Sequence, residues 1–170
     1  MRPVGTFVGS TAPNMGGFDQ YGNHIDLKSQ RGRWVLMAIG PLRCPAGQAQ
    51  ERGLESLTQH LRGAHVPFTA LTMAYANLHN RPMQPGDAED FARGLGSWSP
   101  VIGSARWPWI RRVYAMSERY SDAPVEQGGT PATPQPERGV PVDVIISPSG
   151  LVSFISIGQV DLNLVQRALH

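Results

Sequence analysis

Two continuous apolar runs, with a helix-length segment between them, constrain the fold of this chain more than any other feature. The runs are Trp34–Ile39 and Val66–Met73, and such uninterrupted apolar strands are typical of a sheet that helices cover on both faces. Pro45 suits the first position of a helix, and the residues after it that recur at helical spacing are Ala46, Ala49, Leu54, Leu57 and Leu61. These residues predict a helix from Pro45 to about residues 60–62, although Gly53 weakens its middle. Strand, helix and strand in this order predict a right-handed parallel crossover, and therefore an α/β fold.

The remaining segments predict a sheet that is extended on both sides within one domain, residues 1–170. In chain order we expect a β-hairpin over 17–27, a capped helix that starts within 85–92, a brief edge strand at 100–103, antiparallel strands at 142–146 and 151–157, and a capped amphipathic helix from Asp161. Trp107, Ile110, Val113 and Tyr114 share one helical face, which indicates a core stripe. Residues 121–138 are rich in proline and glycine and predict a long loop insertion.

Composition and charge exclude several classes of function. The net charge of +2 comes from scattered arginines, so no nucleic-acid-binding stripe is expected. No apolar run approaches the length of a membrane span, and the first residues contain no apolar core of a signal peptide. We therefore expect no integral membrane segment and a cytoplasmic location, or a periplasmic one if a targeting segment has been removed.

Cys44 is the only cysteine, and it stands where the first apolar strand gives way to the helix. A thiol at a helix N-terminus, beside an arginine such as Arg43, should ionise more easily than a free cysteine. A buried cysteine that acts as a small hydrophobe is an equally ordinary interpretation of the position. In either case one cysteine cannot form an internal disulfide.

Other catalytic or metal-binding patterns are weak. None of the five histidines stands four residues from another, so no helical ligand pair exists, and we expect neither a metal nor a cofactor. The acidic cluster of Asp87, Glu89 and Asp90 is explained by the helix start that it occupies. No nucleophile elbow or phosphate-binding loop is present in the sequence.

Six short motifs follow one another in the order of a known superfamily. They are Gly9–Met15 (like G-x-x-A-P-x-F), Gly22–Leu27 (like D-G-x-x-x-x-L), the strand from Arg33 to Ile39, the strand from Phe68 to Met73, the pair Val140-Pro141, and the turn 147–150 (like D-P-x-G). On these residues the chain resembles the thioredoxin-like superfamily, in the redoxin branch of peroxiredoxins and thiol-disulfide oxidoreductases. The resemblance covers about residues 6–73 and 139–169.

The resemblance implies a thioredoxin-like fold, in which a central mixed sheet is flanked by helices. It also implies that Pro141 is a cis proline facing the cysteine loop, with the Val140 backbone offered to a bound peptide or thiol. The expected site consists of Cys44 as nucleophile with six supporting residues, namely Pro41, Arg43, Pro45, Gly47, Val140 and Pro141.

The departures from the family patterns are as informative as the matches. Gly47 stands where a C-x-x-C dithiol would have its resolving cysteine, so an external thiol would have to resolve any adduct. Pro41 and Met37 replace the threonine and the proline of the peroxidase motif P-x-x-x-T-x-x-C. Gln48 replaces the second cysteine of the C-x-x-x-C pair of copper-delivery members.

Two functions therefore remain open from the sequence. In the first, the protein is a thiol-dependent oxidoreductase in which Cys44 attacks a disulfide or hydroperoxide. In the second, it is a redox-inactive binding or assembly module that uses the cis-proline groove. The expected partner is a small thiol, or a protein bound through Cys44 and the Val140-Pro141 groove.

Overall fold

A computed structural model describes residues 4–5, 7–79, 81–97, 99–103, 141–158 and 160–169. These residues form a seven-stranded sheet in the spatial order β2-β1-β5-β4-β3-β6-β7. The strands are β1 (Gly16–Phe18), β2 (His24–Asp26), β3 (Trp34–Gly40), β4 (Phe68–Ala74), β5 (Val101–Gly103), β6 (Val142–Ile146) and β7 (Val152–Ile157). The helices are α1 (Pro45–Gly63), α2 (Asp87–Leu95) and α3 (Leu162–Ala168), with a short 3-10 helix at Leu27–Gln30.

The centre of the sheet is built from the two apolar runs. β3 and β4 are parallel, in register from Trp34 with Phe68 to Gly40 with Ala74, and β6 pairs antiparallel on the other side of β3. Successive side chains of β3 alternate between two buried clusters, so that Leu36 packs with the leucines of α1 while Met37 packs on the opposite face. This confirms the predicted mixed α/β architecture.

Most of the predicted elements are confirmed. β1 and β2 form the N-terminal hairpin, β6 and β7 form the second hairpin, and the side chain of Asp161 caps α3 by accepting from the Asn163 N–H. Gly53 has a packing reason, because an added Cβ would lie 2.6 Å from Cδ1 of Leu162 on α3. The glycine therefore lets the two helices approach each other.

One prediction about local structure is wrong. β5 is not an edge strand, because the β1–β2 hairpin folds back along it and pairs Phe18 with Gly103. α2 begins at Asp87, within the predicted range, and its N-cap is Gly86 in the left-handed region at φ 93°, with no side-chain hydrogen bond to the cap. Asp87 instead accepts hydrogen bonds from the Gln84 N–H and the Asn77 amide, at 2.6 and 3.1 Å.

Three expectations lie outside the described residues. They are the aromatic stripe at 107–114, the loop insertion at 121–138, and the position of Val140. Among the helices of the described residues, none combines the length and the apolar character that crossing a membrane requires.

Candidate functional site

Cys44 caps the N-terminus of α1. β3 ends at Gly40, three residues turn the chain, and the Cys44 N–H donates to the Pro41 carbonyl at 3.0 Å. Cys44 Sγ accepts from the Gly47 N–H at 3.5 Å, and Pro45 occupies the first helical turn, where its missing N–H is no loss. The side chain is only 8% exposed. The predicted helix-cap position is thus confirmed, and the thiol is also buried.

A small cavity lies beside the Cys44 thiol. Its walls come from the end of β3, from the first turn of α1, and from Thr72 of β4, Phe91 of α2 and Pro141. Its volume of about 20 Å³ is enough for one water molecule but not for a larger ligand. The cavity itself is therefore too small to hold a disulfide or a hydroperoxide substrate.

The structure gathers some of the expected site residues and separates others. Pro41, Gly47 and Pro141 line the same cavity as Cys44. Arg43 is half-buried outside the cavity lining, and Pro45 is exposed. The approach of Pro141 is close, because a Cβ added to Gly40 would lie 3.7 Å from the Pro141 Cα. Whether the peptide bond before Pro141 is cis stays a prediction.

Position 47 faces the thiol directly. A Cβ added to Gly47 would lie 3.6 Å from Cys44 Cβ and 3.9 Å from Cys44 Sγ, both ordinary contact distances. One residue further along, the Gln48 amide donates to the Leu42 carbonyl at 2.8 Å and so braces the turn before the helix.

A buried glutamate, Glu51, lies seven residues after Cys44, about two turns further along α1. Glu51 is only 3% exposed, and its two carboxylate oxygens accept hydrogen bonds from the hydroxyls of Thr72 and Ser97, each at 2.5 Å. Burial raises the pKa of Glu51, against the opposing effect of these two hydrogen bonds. Because Thr72 also lines the cavity, it joins the glutamate to the surroundings of the thiol.

A second buried carboxylate lies on the other side of α1. Asp143 on β6 is fully buried opposite Ala38, a residue that lines the cavity. Asp143 Oδ1 accepts from the Gln50 amide at 2.6 Å, and Gln50 in turn accepts from the Val160 N–H at 3.0 Å. Asp143 Oδ2 has no hydrogen-bond partner among the described residues. Burial raises the pKa of Asp143 to about 7.

Neither buried carboxylate was expected from the sequence, although a signal for each is present there. Asp143 interrupts the otherwise apolar strand 142–146. A strand of this kind is covered on both faces, so its one charged side chain is buried whichever face it points to. Glu51 lies three residues before Leu54, on the helical face that Leu54 and Leu61 bury. A helical register extended back from these leucines indicates that Glu51 is buried.

The described residues contain no cluster of three or more His, Cys, Asp or Glu side chains that could hold a metal ion. In this part of the molecule the described residues bring together one thiol, the N–H groups of a helix N-terminus and two buried carboxyl groups.

Comparisons with known proteins identify the fold. No protein-family model and no curated protein matches the sequence. A thiol:disulfide interchange protein from Bacteroides sp. aligns with a TM-score of 0.68 at 17% identity, over 96% of this chain and 90% of that one. A thioredoxin-family thiol:disulfide interchange protein from Chlorobium tepidum TLS aligns with a TM-score of 0.62 at 17% identity, over 99% and 95% of the two chains.

A third similar structure is the bacterioferritin comigratory protein of Xanthomonas campestris, described for its alkyl peroxide reduction activity. It aligns with a TM-score of 0.62 at 14% identity, over 91% of this chain and 89% of that one. At these identities the likeness shows the fold alone. The protein has a thioredoxin-like fold, as the sequence motifs predicted, and it is structurally similar to thiol-disulfide oxidoreductases and to this comigratory protein.

Proposed function

We propose that the protein is a thiol-dependent redox protein in which Cys44 attacks a disulfide or hydroperoxide and an external thiol resolves the adduct. The observation that carries the proposal is the position of the Cys44 sulfur at the N-cap of α1, where it accepts the Gly47 N–H. A helix N-terminus stabilises negative charge, and a thiolate is the reactive form of cysteine. The fold shared with thiol-disulfide proteins supports the same chemistry.

The proposed reaction with a disulfide requires no second cysteine in this chain. The Cys44 thiolate forms a bond with one sulfur of the partner disulfide, the partner's S–S bond breaks, and the departing thiolate takes up a proton. Because Gly47 stands where a resolving cysteine would be, a thiol from outside the chain must attack the mixed disulfide and release Cys44. A small thiol or a protein thiol fits this role, and contact through the Val140-Pro141 segment stays part of the proposal.

A disulfide is the better substrate of the two. Cleavage of a peroxide bond is accelerated by donors that stabilise the developing charge on the leaving oxygen. Pro41, which takes the place of the peroxidase threonine, offers no hydroxyl, and the hydroxyl of Thr72 already donates to Glu51. We therefore expect peroxide to oxidise Cys44 no faster than it oxidises an unassisted thiolate.

One observation favours the alternative, a redox-inactive binding module that uses the groove beside Pro141. Cys44 is only 8% exposed, so little of its surface is open to the disulfide of a partner protein. In that function the thiol fills space beneath the groove, and partner binding does not depend on its ionisation.

Reaction with glutathione disulfide separates the two functions. The native protein is incubated with glutathione disulfide at neutral pH, and the mixed disulfide is measured by intact mass. We expect a glutathione adduct that dithiothreitol reverses and that Cys44→Ser abolishes. An adduct that forms only after unfolding in urea, while the native protein stays unmodified, would establish the binding module instead.

Replacing Gly47 with cysteine tests the geometry of the site. The 3.6 Å separation between Cys44 Cβ and an added Cβ at position 47 lies within the range of about 3.5–4.5 Å found in disulfides. We expect Gly47→Cys to form an internal disulfide and, once dithiothreitol has reduced it, to reduce the disulfides of insulin, an activity that we do not expect of the parent. Ala49→Cys, an exposed position on the same helix, is the matched control and should leave both thiols free.

A further inference from the structure

Two adjoining cavities form a groove at the end of the sheet opposite Cys44. The first, of about 300 Å³, lies between the last turns of α1, the start of β4 and the residues before β5. The second, of about 330 Å³, continues it past the C-terminus of α1. Four residues line both cavities, which we call together the arginine groove: Arg33, Thr58, Arg62 and Phe68. Each cavity has the volume of a site for a small molecule.

The backbone around the arginine groove is fixed by the fold. The Trp34 N–H donates to the Pro67 carbonyl at 2.8 Å, which holds the start of β4 beside Arg33. On the wall before β5, the Gln20 amide donates to the Ser99 carbonyl at 2.9 Å. The backbone of the groove is therefore in place before a ligand binds, which reduces the entropy that binding costs.

The turn that ends α1 places His65 in the groove, at a position where glycine is usual. The N–H groups of His65 and Val66 donate to the carbonyls of Arg62 and Leu61, at 3.0 and 2.9 Å, which is the Schellman pattern of a helix end. The left-handed residue of that pattern is usually glycine, and here it is His65 at φ 59°. The turn also satisfies two carbonyls that would otherwise repel an anion.

The arginine groove offers unpaired positive charge. Among the described residues that line its second cavity are Arg33, Arg62 and His65, and none is an acid. Arg33 Nη1 donates to the Thr69 hydroxyl at 3.5 Å, and the salt bridges among the described residues are those of Arg93 on α2. Neither Arg33 nor Arg62 is thus neutralised by a described carboxylate. Both are exposed to solvent, so an anion reaches them without rearrangement of the core.

The first cavity adds hydrogen-bond acceptors to this charge. Glu55 is half-buried, and its Oε1 accepts from the Gln59 amide at 3.1 Å, whereas its Oε2 accepts from no group among the described residues. The Thr69 hydroxyl accepts from Arg33 and keeps its own proton to donate. A carboxylate here disfavours a ligand that is only an anion. It favours one whose phosphate is followed by hydroxyl groups, because a carboxylate accepts from hydroxyls.

We propose that the arginine groove binds a sugar phosphate, either free or as part of a nucleotide. The phosphate lies at Arg33, Arg62 and His65, and the sugar hydroxyls lie toward Glu55. A phosphate monoester carries about two negative charges at neutral pH, and arginine pairs with phosphate through two parallel hydrogen bonds. The inference is independent of the proposed thiol function. Arg33 precedes β3 and Cys44 follows it, and the seven residues of the strand separate them by roughly 20 Å.

Calorimetry tests the binding. The protein, in a phosphate-free buffer of low salt, is titrated with ribose 5-phosphate, AMP, inorganic phosphate and ribose. We expect one site, with a dissociation constant below about 1 mM for at least one of the two sugar phosphates. Inorganic phosphate and ribose should each bind at least about tenfold more weakly, because each makes only part of the contacts. The tighter of ribose 5-phosphate and AMP identifies the free sugar phosphate or the nucleotide as the ligand.

Variants test the residues. Arg33→Gln and Arg62→Gln should each weaken binding about tenfold. Arg33→Lys, which keeps the charge but not the planar fork, should lose less. Arg52→Gln, an exposed arginine of α1 outside the groove, is the matched control and should bind as the wild type does. Arg62 also complements the dipole at the C-terminus of α1, so the Arg33 variants, which lie outside the helix, are decisive.

Amide NMR locates the ligand. In nitrogen-15-labelled protein the tighter sugar phosphate should shift the amides of His65 and Thr69 and leave that of Gly47, at the other end of α1, in place. Shifts centred on Gly47 would place the anion at the helix N-terminus and overturn the proposal. No binding up to about 10 mM, equal weakening by Arg52→Gln and Arg33→Gln, or inorganic phosphate as tight as the sugar phosphates would overturn it too, the last by showing an adventitious ion only. Glutathione adducts at Cys44 should form in Arg33→Gln as in the wild type, whichever result is found.

Discussion

Two neighbouring residues of α1 carry side chains to strands on either side of β3, and the comparison between them shows how differently a buried carboxylate can be held. Gln50 reaches Asp143 on β6, whereas Glu51 reaches Thr72 on β4. Successive helical residues are turned by about 100°, so consecutive positions at the buried face can point to strands on either side of β3. In one cluster the acid belongs to the strand, and in the other it belongs to the helix.

The Asp143–Gln50 cluster and the Glu51–Thr72–Ser97 cluster differ in how many oxygens of the carboxyl group accept a hydrogen bond. Both oxygens of Glu51 accept from hydroxyls, which can turn around when the carboxyl group gains a proton. Among the described residues, Asp143 is bonded only at Oδ1, by the Gln50 amide, whose oxygen accepts from the Val160 N–H, and Oδ2 has no partner there. Ionisation of Asp143 is therefore the less compensated of the two, and burial raises its pKa to about 7.

The largest expected effect comes from removing the charge of Asp143. The folded protein holds a proton on Asp143 up to about pH 7, whereas the unfolded chain releases it near its ordinary value of 3.8. Between these values the native state binds more protons, so the free energy of unfolding falls as pH rises, on the order of 4 kcal/mol in total. In Asp143→Asn this decrease should disappear.

Urea unfolding of wild type and Asp143→Asn at about pH 4.5, 6 and 8 measures the effect. The two proteins should differ little at the lowest pH, and the variant should be the more stable at the highest. Asp90→Asn, which alters an exposed carboxylate on α2, is the control and should follow the wild type. Parallel curves for wild type and Asp143→Asn would show that Asp143 is not protonated in the folded protein near neutral pH.

The next largest effect comes from removing the amide that holds Asp143. Gln50→Leu keeps a side chain of similar size but leaves Asp143 Oδ1 without the Gln50 donor inside the core. An unsatisfied buried polar group costs about 1–3 kcal/mol, and more when it is charged, so we expect a loss of about 3 kcal/mol at pH 8. Gln59→Leu, at an exposed position of the same helix, should change stability by less than about 0.5 kcal/mol. A cost at pH 8 no larger than the cost at pH 4.5 would contradict an ionised Asp143.

The sequence predicted the centre of this fold because its patterns there are unambiguous. β3, α1 and β4 each have one dominant periodicity, and Pro45 marks the helix start at which Cys44 was expected to cap. β5 was misplaced for a physical reason. A three-residue strand contains no signal that tells an edge from an interior position, since the neighbour that covers it comes from a hairpin distant in sequence.

The site was predictable only in part. Cys44 and Gly47 lie within one helical turn, so their proximity follows from the local sequence. Pro141 lies beside them only because β6, about a hundred residues later, pairs with β3, and its position was expected only from the family resemblance. The partnership of Glu51 with Thr72 depends on the register between α1 and β4, which no local pattern specifies. Contacts that depend on how a helix and a strand are aligned with each other were therefore not predicted from the sequence alone.

Removing one hydrogen-bond donor to Glu51 should reduce the free energy of unfolding by less than removing the donor to Asp143, because Glu51 keeps a second donor. Thr72→Val removes the hydroxyl that donates to Glu51 Oε2 and keeps the shape of the side chain. Because one oxygen of Glu51 then loses its donor while Ser97 still holds the other, we expect a loss of about 1–2 kcal/mol in urea unfolding at pH 8. Thr72→Ser should recover most of the loss. A cost equal to that of Gln50→Leu would show that the two clusters are held equally tightly.

The smallest effect is expected at the outer end of the Glu51 cluster. Ser97→Ala removes the donor to Glu51 Oε1, but Ser97 is half-buried, so water can take the place of the lost hydroxyl. We expect a loss below about 1 kcal/mol, smaller than that of Thr72→Val, because Thr72 faces the enclosed cavity and Ser97 lies nearer solvent. The measurement is urea unfolding of both variants at the same pH. A reversed order, with Ser97→Ala the more costly, would mean that Ser97 holds Glu51 more tightly than Thr72 does.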